Sequence, residues 1–221
     1  MKVKKFYMLL IAMMVLGSIN FTSAQELGRK GARKPRHRVG LAIGTRSYLD
    51  SDFFENHPEG LVPADLGGNS YSIMYEGTPS PGLFGVEVLA SIAPSSTTTE
   101  TADHSIQALS ARLSGKIHPF ATTSLSRYLD LYVGGGATGL TVNYETNGFS
   151  DSYKVFGPHA IAGFEYYLGT FSSGKWQWGA FFNYIFTPTL NVERVGPPNR
   201  KKDFNAGGHL FIFGIKFNAL R

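Results

Sequence analysis

Histidine and serine are the residue types in this sequence that could form a nucleophile–base pair, since the chain has six histidines and no cysteine. On a strand, such a pair would need a spacing of two residues to place both side chains on one face. No histidine is followed by serine at that spacing, and the adjacent His104 and Ser105 would point to opposite faces. Because a base must lie within hydrogen-bond reach of its nucleophile, we predict no catalytic residues and no enzymatic activity.

Two other chemical groupings are incomplete. The glycine-rich run GGGATG at 134–139 lacks the Lys–Ser/Thr ending and the following helix of a phosphate-binding loop. No cluster of histidines and carboxylates has the spacing of metal ligands. The sequence therefore predicts neither a metal site nor a bound cofactor.

The N-terminal region is typical of an exported protein. Residues 1–24 combine three lysines, an apolar run from Phe6 to Leu16 and small residues before Gln25, which predicts a secretory signal peptide. Residues 25–37 form a basic segment, expected to be a solvated periplasmic stretch, and residues 26–38 together carry a net +5. With these segments set aside, the formal net charge of +5 becomes −3 for residues 39–221. A mildly acidic body argues against nucleic acid as a partner.

Beyond residue 38, apolar residues recur at every second position, which is the pattern of β-strands. Eight strands are predicted, at 38–47, 69–77, 82–93, 104–117, 128–144, 158–169, 175–187 and 208–217. Their connections alternate, with long ones at 48–68, 94–103, 145–157 and 188–207 and shorter ones between. This alternation is typical of membrane barrels. We therefore predict an all-β fold, an eight-stranded antiparallel up-and-down transmembrane β-barrel at 38–217, with a short tail at 218–221.

Each predicted strand has an apolar face and a face with few charges. The charges of the second face are those of Arg46, Glu76, Glu87, Arg112, Lys116, Asp130, Glu165 and Lys216. With the apolar face inward, the protein would be a secreted lipocalin-like carrier, but its outer face would then need a denser mixture of charges. With the apolar face outward, the charges pair inside a barrel that side chains fill. We favour the second arrangement, because one charge facing lipid costs about 2–4 kcal/mol at mid-depth.

The last predicted strand, GGHLFIFGIKF, carries outward apolar residues at alternate positions, namely Phe211, Phe213, Ile215 and Phe217. It resembles the closing strand of bacterial outer-membrane proteins, which in that family is recognised by the barrel-assembly machinery. With the signal peptide and the eight strands, the chain is similar to the small outer-membrane β-barrel family that includes the OmpA transmembrane domain and OmpX. The resemblance implies a place in the outer membrane of a Gram-negative cell envelope, among lipid and lipopolysaccharide, with both termini in the periplasm.

The resemblance and the filled interior lead us to expect a structural role or a surface-interaction role through extracellular loops. The partners of such loops would be lipopolysaccharide, a host surface or another protein. One competing function is a narrow passive pore of the porin family for ions or small solutes. Another is a lipid A-modifying barrel enzyme, although the deacylases of that type resemble one another in a His-x-Ser pair that this chain lacks.

Two of the predicted loops carry opposite charge. The acidic residues of loop 48–68 are Asp50, Asp52, Glu55, Glu59 and Asp65, and the basic residues of loop 188–207 are Arg194, Arg200, Lys201 and Lys202. Barrel closure brings the first and last strands together, so we expect these two loops to form a mixed-charge cap outside the membrane.

Overall fold

The structure is a computed structural model, which describes residues 36–49, 68–79, 82–98, 103–121, 129–146, 149–171, 176–195 and 202–219. The regular elements in these ranges are the ten strands β1 (Arg36–Tyr48), β2 (Gly68–Thr78), β3 (Phe84–Thr98), β4 (Asp103–Ile117), β5 (Leu129–Thr146), β6 (Phe149–Phe171), β7 (Trp176–Thr187), β8 (Asn191–Val195), β9 (Lys202–Asn205) and β10 (Gly208–Ala219). Within the same ranges, no helix has the length and apolar character needed to cross a membrane.

Eight strands close into an antiparallel barrel with the order β1-β10-β7-β6-β5-β4-β3-β2. Closure is made by β1 and β10, which pair from His37 opposite Ala219 to Tyr48 opposite Gly208. Because the strand number is even, β1 starts and β10 finishes at the same end of the barrel, which we call the terminal end. The opposite end is the far end. The prediction of an eight-stranded antiparallel up-and-down barrel is confirmed.

At the terminal end, the apolar faces of the strands point outward. On β5, Val133 is exposed whereas its neighbours Asp130 and Tyr132 are buried. The same alternation runs through β10, where Phe213 is exposed and Lys216 is buried. This arrangement contradicts the alternative of a lipocalin-like cup, because a cup would require the charges outside and the aromatic rings inside.

At the far end, the polarity of the two faces is reversed, although the same alternate positions of each strand still point inward. Leu140, Val142 and Tyr144 of β5 are buried on the inner face, and Asn143 and Glu145 point outward. Strands β4 and β6 follow the same rule, so that residues 103–108, 140–146 and 149–155 form one paired segment with a polar outside and an apolar inside. We call this segment the extension. A polar outside indicates that water, not lipid, surrounds it.

The extension explains where the structure departs from the predicted strand bounds. β6 has 23 residues, whereas a strand crosses a bilayer with about 9–11. Thr146 pairs with Phe149, so only two residues separate β5 from β6. The predicted long connections at 94–103 and 145–157 were therefore wrong, since both stretches are mostly strand. At the terminal end, β1 begins at Arg36 and β10 continues to Ala219, beyond the predicted bounds of 38 and 217.

The predicted loop 188–207 contains a small hairpin formed by β8 and β9. A backbone hydrogen bond from Leu49 N to Gly207 O at 3.0 Å links its base to the end of β1, and one from Ala206 N to Leu190 O at 2.8 Å joins its two arms. Leu190, Val192 and Ala206 are buried and pack against the apolar inner wall of the extension. The hairpin therefore folds inward at the far end of the barrel.

Candidate functional site: the barrel interior

A network of buried ionic side chains fills the terminal end of the barrel, and we call it the charge network. Every strand of the barrel except β7 contributes a member, and the members are Arg38, Glu76, Glu87, Lys116, Asp130, Glu165 and Lys216. Each of these side chains is at most 2 % exposed. Because each strand presents alternate residues inward, one level of the barrel collects one polar side chain from nearly every strand.

Arg38 is the centre of the charge network. Its guanidinium donates to Glu76 Oε1 at 2.8 Å, to Asp130 Oδ2 at 3.0 Å and to Glu165 Oε2 at 3.2 Å. These three carboxylates come from β2, β5 and β6, so a single side chain ties together strands from both halves of the barrel. The planar guanidinium suits this role, since it presents several donors in a rigid arrangement.

Two lysines complete the network. Lys116 Nζ donates to Glu76 Oε2 at 3.0 Å and to Glu87 Oε2 at 2.5 Å. Lys216 Nζ donates to the same Glu76 oxygen at 3.2 Å and lies 3.5 Å from Glu165 Oε2. The three cations thus meet four carboxylates at close range, which offsets the cost of removing their charges from water.

Four polar side chains enclose the charge network. His118 Nδ1 lies 3.1 Å from Asp130 Oδ2, and Asn218 donates to Glu165 Oε1 at 2.9 Å. The ring of Tyr132 lies 4.0 Å from Lys116 Nζ, and its hydroxyl donates to Asn183 Oδ1 at 2.5 Å. With these groups, side chains from all eight barrel strands meet at the terminal end and close the lumen there.

A second closure lies at the far end and is apolar. The hairpin residues Leu190, Val192 and Ala206 share a buried cluster with Ala93 of β3 and with the inner wall of the extension, where the buried side chains are Ile106, Ala108, Leu140, Val142 and Tyr144. This cluster resembles the core of a water-soluble protein, as expected for a segment with a polar outside. The lumen is therefore closed at one end by ion pairs and at the other by an apolar core.

Between the two closures lies a serine–histidine pair that the sequence analysis missed. Ser114 Oγ is 2.8 Å from His159 Nε2, and Thr138 Oγ1 is 2.9 Å from His159 Nδ1. The pair is 45 residues apart in sequence, so only barrel closure reveals it. His159 is 5 % exposed and Ser114 is 1 % exposed. The third partner of the pair, Thr138, is a neutral hydroxyl and not a carboxylate.

The eight charged residues assigned to the interior from sequence all lie buried inside the barrel. Six of them, Glu76, Glu87, Lys116, Asp130, Glu165 and Lys216, are in contact within the charge network. Arg46 and Arg112 stand apart from it, nearer the far end. Arg38, the first residue of the predicted strand 38–47, was left out of the charges assigned to the interior, although its side chain is 2 % exposed. Its position eight residues before Arg46, on the same face of that strand, was the available signal.

Two further predictions from the sequence concern the closing strand and the two charged loops. Phe211, Phe213, Ile215 and Phe217 share the outer face of β10 and are all exposed. The predicted loop charges lie outside the described residues, apart from the backbone of Arg194 in β8 and of Lys202 in β9. Their proposed meeting as a cap therefore stays a prediction.

Comparison with known proteins agrees with this architecture. Residues 9–217 match the family model described as outer membrane protein beta-barrel domain. The chain belongs to this family. No curated protein matches the chain.

Solved structures of the same kind are similar at low identity. OprG of Pseudomonas aeruginosa is 14% identical, with a TM-score of 0.54 over 86% of this chain and 99% of that chain. Neisserial surface protein A is 11% identical, with a TM-score of 0.48 over 87% of this chain and 100% of that chain. Ail of Yersinia pestis is 12% identical, with a TM-score of 0.47 over 86% and 99%. At such identities the likeness shows the fold alone, and the OprG barrel, with its TM-score of 0.54, supports that fold.

Membership of the outer-membrane family explains the outer face of the terminal end. Lipid is the solvent there, so exposed side chains such as Phe84, Leu113 and Phe213 are apolar. Tyrosines with a polar tip also occur on the outer face of the barrel, and nearer its far end the hydroxyl of Tyr184 is 2.8 Å from His209 Nδ1. Such amphipathic rings are typical of the lipid–water boundary.

Proposed function

We propose that this protein is a non-conducting, non-enzymatic outer-membrane barrel that serves a structural role and presents the extension and its loops to the surroundings of the cell. The observation that carries this proposal is the pair of closures. Arg38 reaches Asp130 across the lumen at the terminal end, and Leu190 and Ala206 of the hairpin are buried at the far end. An open passage would have to disrupt both the ion pairs and the apolar core.

The test of this proposal is a conductance measurement. Purified barrel, verified as folded by its heat-dependent gel migration, is inserted into planar lipid bilayers at moderate salt, with a bacterial porin as the positive control. We expect no stepwise conductance from this protein under conditions in which the porin produces steps. Reproducible steps from the folded barrel would support the competing function, a narrow passive pore, and would overturn a purely structural role.

The absence of enzymatic activity is supported by the position of the only serine–histidine hydrogen bond among the described side chains. Ser114 and His159 lie between the two closures of the lumen, so a lipid substrate has no route to them. Overexpression in a Gram-negative host should leave the mass spectrum of lipid A unchanged. A new lipid A species that disappears in the Ser114→Ala variant would contradict the proposal.

The orientation that we propose places the terminal end in the periplasm and the extension outside the cell. The support is the polar outer surface of the extension, for example Gln107, Asn143 and Lys154, which suits contact with water and with the sugars of lipopolysaccharide. An epitope inserted between Val195 and Lys202 should be labelled by antibody on intact cells. An epitope after Arg221 should be labelled only after the outer membrane is permeabilised, and the reverse pattern would contradict this orientation.

A further inference from the structure

Two buried arginines, nearer the far end than the charge network, have no carboxylate partner among the described side chains. Arg46 of β1 is 5 % exposed and Arg112 of β4 is 2 % exposed. Arg46 donates to Ala206 O at 2.9 Å and lies 5.0 Å from the Tyr48 ring centroid. Arg112 donates to Ser91 Oγ at 3.0 Å and to Ser110 Oγ at 2.6 Å. Among the described residues, no carboxylate lies within ion-pair distance of either guanidinium.

The carboxylates inside the barrel are bound elsewhere, within the charge network. Glu87, for example, is bound to Lys116 at 2.5 Å. Since buried charges are normally paired, two buried guanidinium groups without a carboxylate at ion-pair distance favour a further negative charge beside them.

Unpaired donors surround the same place. Arg46 Nε, Arg112 Nε, Ser70 Oγ and Ser72 Oγ are buried without a hydrogen-bond partner. Ser72 lies opposite Ser91 in the β2–β3 ladder, and Ser91 lies opposite Ser110 in the β3–β4 ladder, so the row of hydroxyls leads to Arg112. Ser70 lies opposite Gly44, one inward position from Arg46. The guanidinium nitrogens can only donate hydrogen bonds, and the serine hydroxyls are able to donate as well, so all four groups suit an acceptor.

We propose that the lumen binds a small inorganic anion between Arg46 and Arg112, with Ser70 and Ser72 as further donors. Guanidinium and hydroxyl groups are a common donor set for anions, and hydrogen bonds from a charged donor are the stronger ones. A water molecule would satisfy the donors but would leave the two positive charges uncompensated. An anion satisfies both requirements at once, and the two closures of the lumen would retain it.

The position of the anion can be tested by diffraction with bromide as the probe. Crystals of the full barrel in detergent or lipid are soaked in sodium bromide, and anomalous data are recorded at the bromine edge. We expect a peak between the two guanidinium groups in the native barrel and none in the Arg112→Met variant. Native density that fits water alone, without an anomalous peak, would overturn the proposal.

A solution test uses the heat-dependent unfolding midpoint of the detergent-solubilised barrel. Chloride is compared at one ionic strength with gluconate, which is a much larger anion. We expect the native midpoint to rise with chloride concentration in a saturating way, and the rise to disappear in Arg112→Met. Lys154→Met, which removes one exposed surface charge, should keep the chloride response of the native protein.

A compensating variant keeps the test decisive if Arg112→Met folds poorly. Ser72→Asp supplies an internal carboxylate beside the row of hydroxyls, so it should raise the midpoint in gluconate and remove the chloride response. Equal responses to chloride and gluconate in the native barrel would overturn the proposal. So would a chloride response that persists in both Arg112→Met and Ser72→Asp.

Discussion

Arg38 and Asp130 are joined across the full width of the barrel, by a hydrogen bond of 3.0 Å between β1 and β5. In the strand order these two strands are diametrically opposite, with three strands between them on either side. The guanidinium therefore acts as a transverse tie as well as a partner for the adjacent β2. A contact of this kind couples the two halves of the sheet, which backbone pairing alone connects only around the circumference.

Replacement of Arg38 by methionine should strongly destabilise the barrel. The change leaves Asp130 and Glu165 buried with fewer positive partners, and removal of one member of a buried ion pair typically costs about 3–5 kcal/mol. The measurement is the free energy of unfolding in urea with the protein in lipid vesicles. Lys154→Met, at an exposed position of the extension, removes the same charge and should change that free energy little. An equal effect of the two variants would contradict the role of the transverse tie.

The exchange of polarity along β5 predicts opposite outcomes for two arginine substitutions on one face. Val133 and Asn143 both point outward and are ten residues apart, the first at the terminal end and the second in the extension. Val133→Arg should reduce stability by about 2–4 kcal/mol and impair membrane insertion, since it places a charge in lipid. Asn143→Arg should fold and insert like the native protein, because its side chain remains in water. Similar losses in both variants would show that lipid also covers the extension.

One feature of the sequence, the alternation of apolar and polar residues along each strand, was enough to predict the number of strands and the closure of the barrel. The same alternation predicted that the eight assigned charges point into the barrel. The extension did not, because its polarity changes side when the surrounding solvent changes from lipid to water. Between Val155 and Ala160, the apolar residues of β6 move from the inner face to the outer face. The alternation of apolar and polar residues is therefore interrupted there, and the segment at 149–157 was not predicted as part of the strand. The dipeptide Asn147-Gly148, which favours a two-residue hairpin turn, was a usable signal for the long β5–β6 pair.

The partners within the lumen were beyond the reach of sequence patterns. Ser114 and His159 lie on strands separated by β5, and Lys216 and Glu165 lie on strands separated by β7. Their distances depend on barrel closure and strand register. Arg38 was predicted to begin the first strand but was not counted among the interior charges, because it also ends a run of basic residues that indicated a solvated segment. Its buried side chain shows that the boundary between segment and barrel lies before it.

The hairpin should detach locally when its buried anchor is shortened. Leu190 is 1 % exposed and packs in the apolar cluster of the far end, so Leu190→Ala removes contacts that typically contribute about 2–5 kcal/mol. We expect faster hydrogen exchange and earlier proteolysis within β8 and β9, with little change in the unfolding of the barrel strands. Thr189→Ala, at the exposed neighbour, should leave the exchange rates of the hairpin as they are. Unchanged protection in Leu190→Ala would indicate that the backbone hydrogen bonds alone hold the hairpin.

A methyl group at Gly163 should disturb the link between Tyr132 and Asn183. A Cβ at this inward position would overlap the carbonyl oxygen of Phe182 and lie 2.5 Å from Asn183 Oδ1 and 2.8 Å from Tyr132 Cε2. Since these groups are buried and the tyrosine hydroxyl donates to that same Oδ1 at 2.5 Å, Gly163→Ala should cost about 1–3 kcal/mol through overpacking.

The matched control for this substitution is Gly139→Ala, because a Cβ at Gly139 would meet only Ala111 O at 3.9 Å. Urea unfolding in vesicles measures the cost, and the near-ultraviolet circular dichroism of the folded barrel reports on the environment of Tyr132. We expect both signals to change in Gly163→Ala and neither to change in Gly139→Ala. If Gly163→Ala matched the native protein in both measurements, the close approach of β6 and β7 around Tyr132 would not be needed for stability.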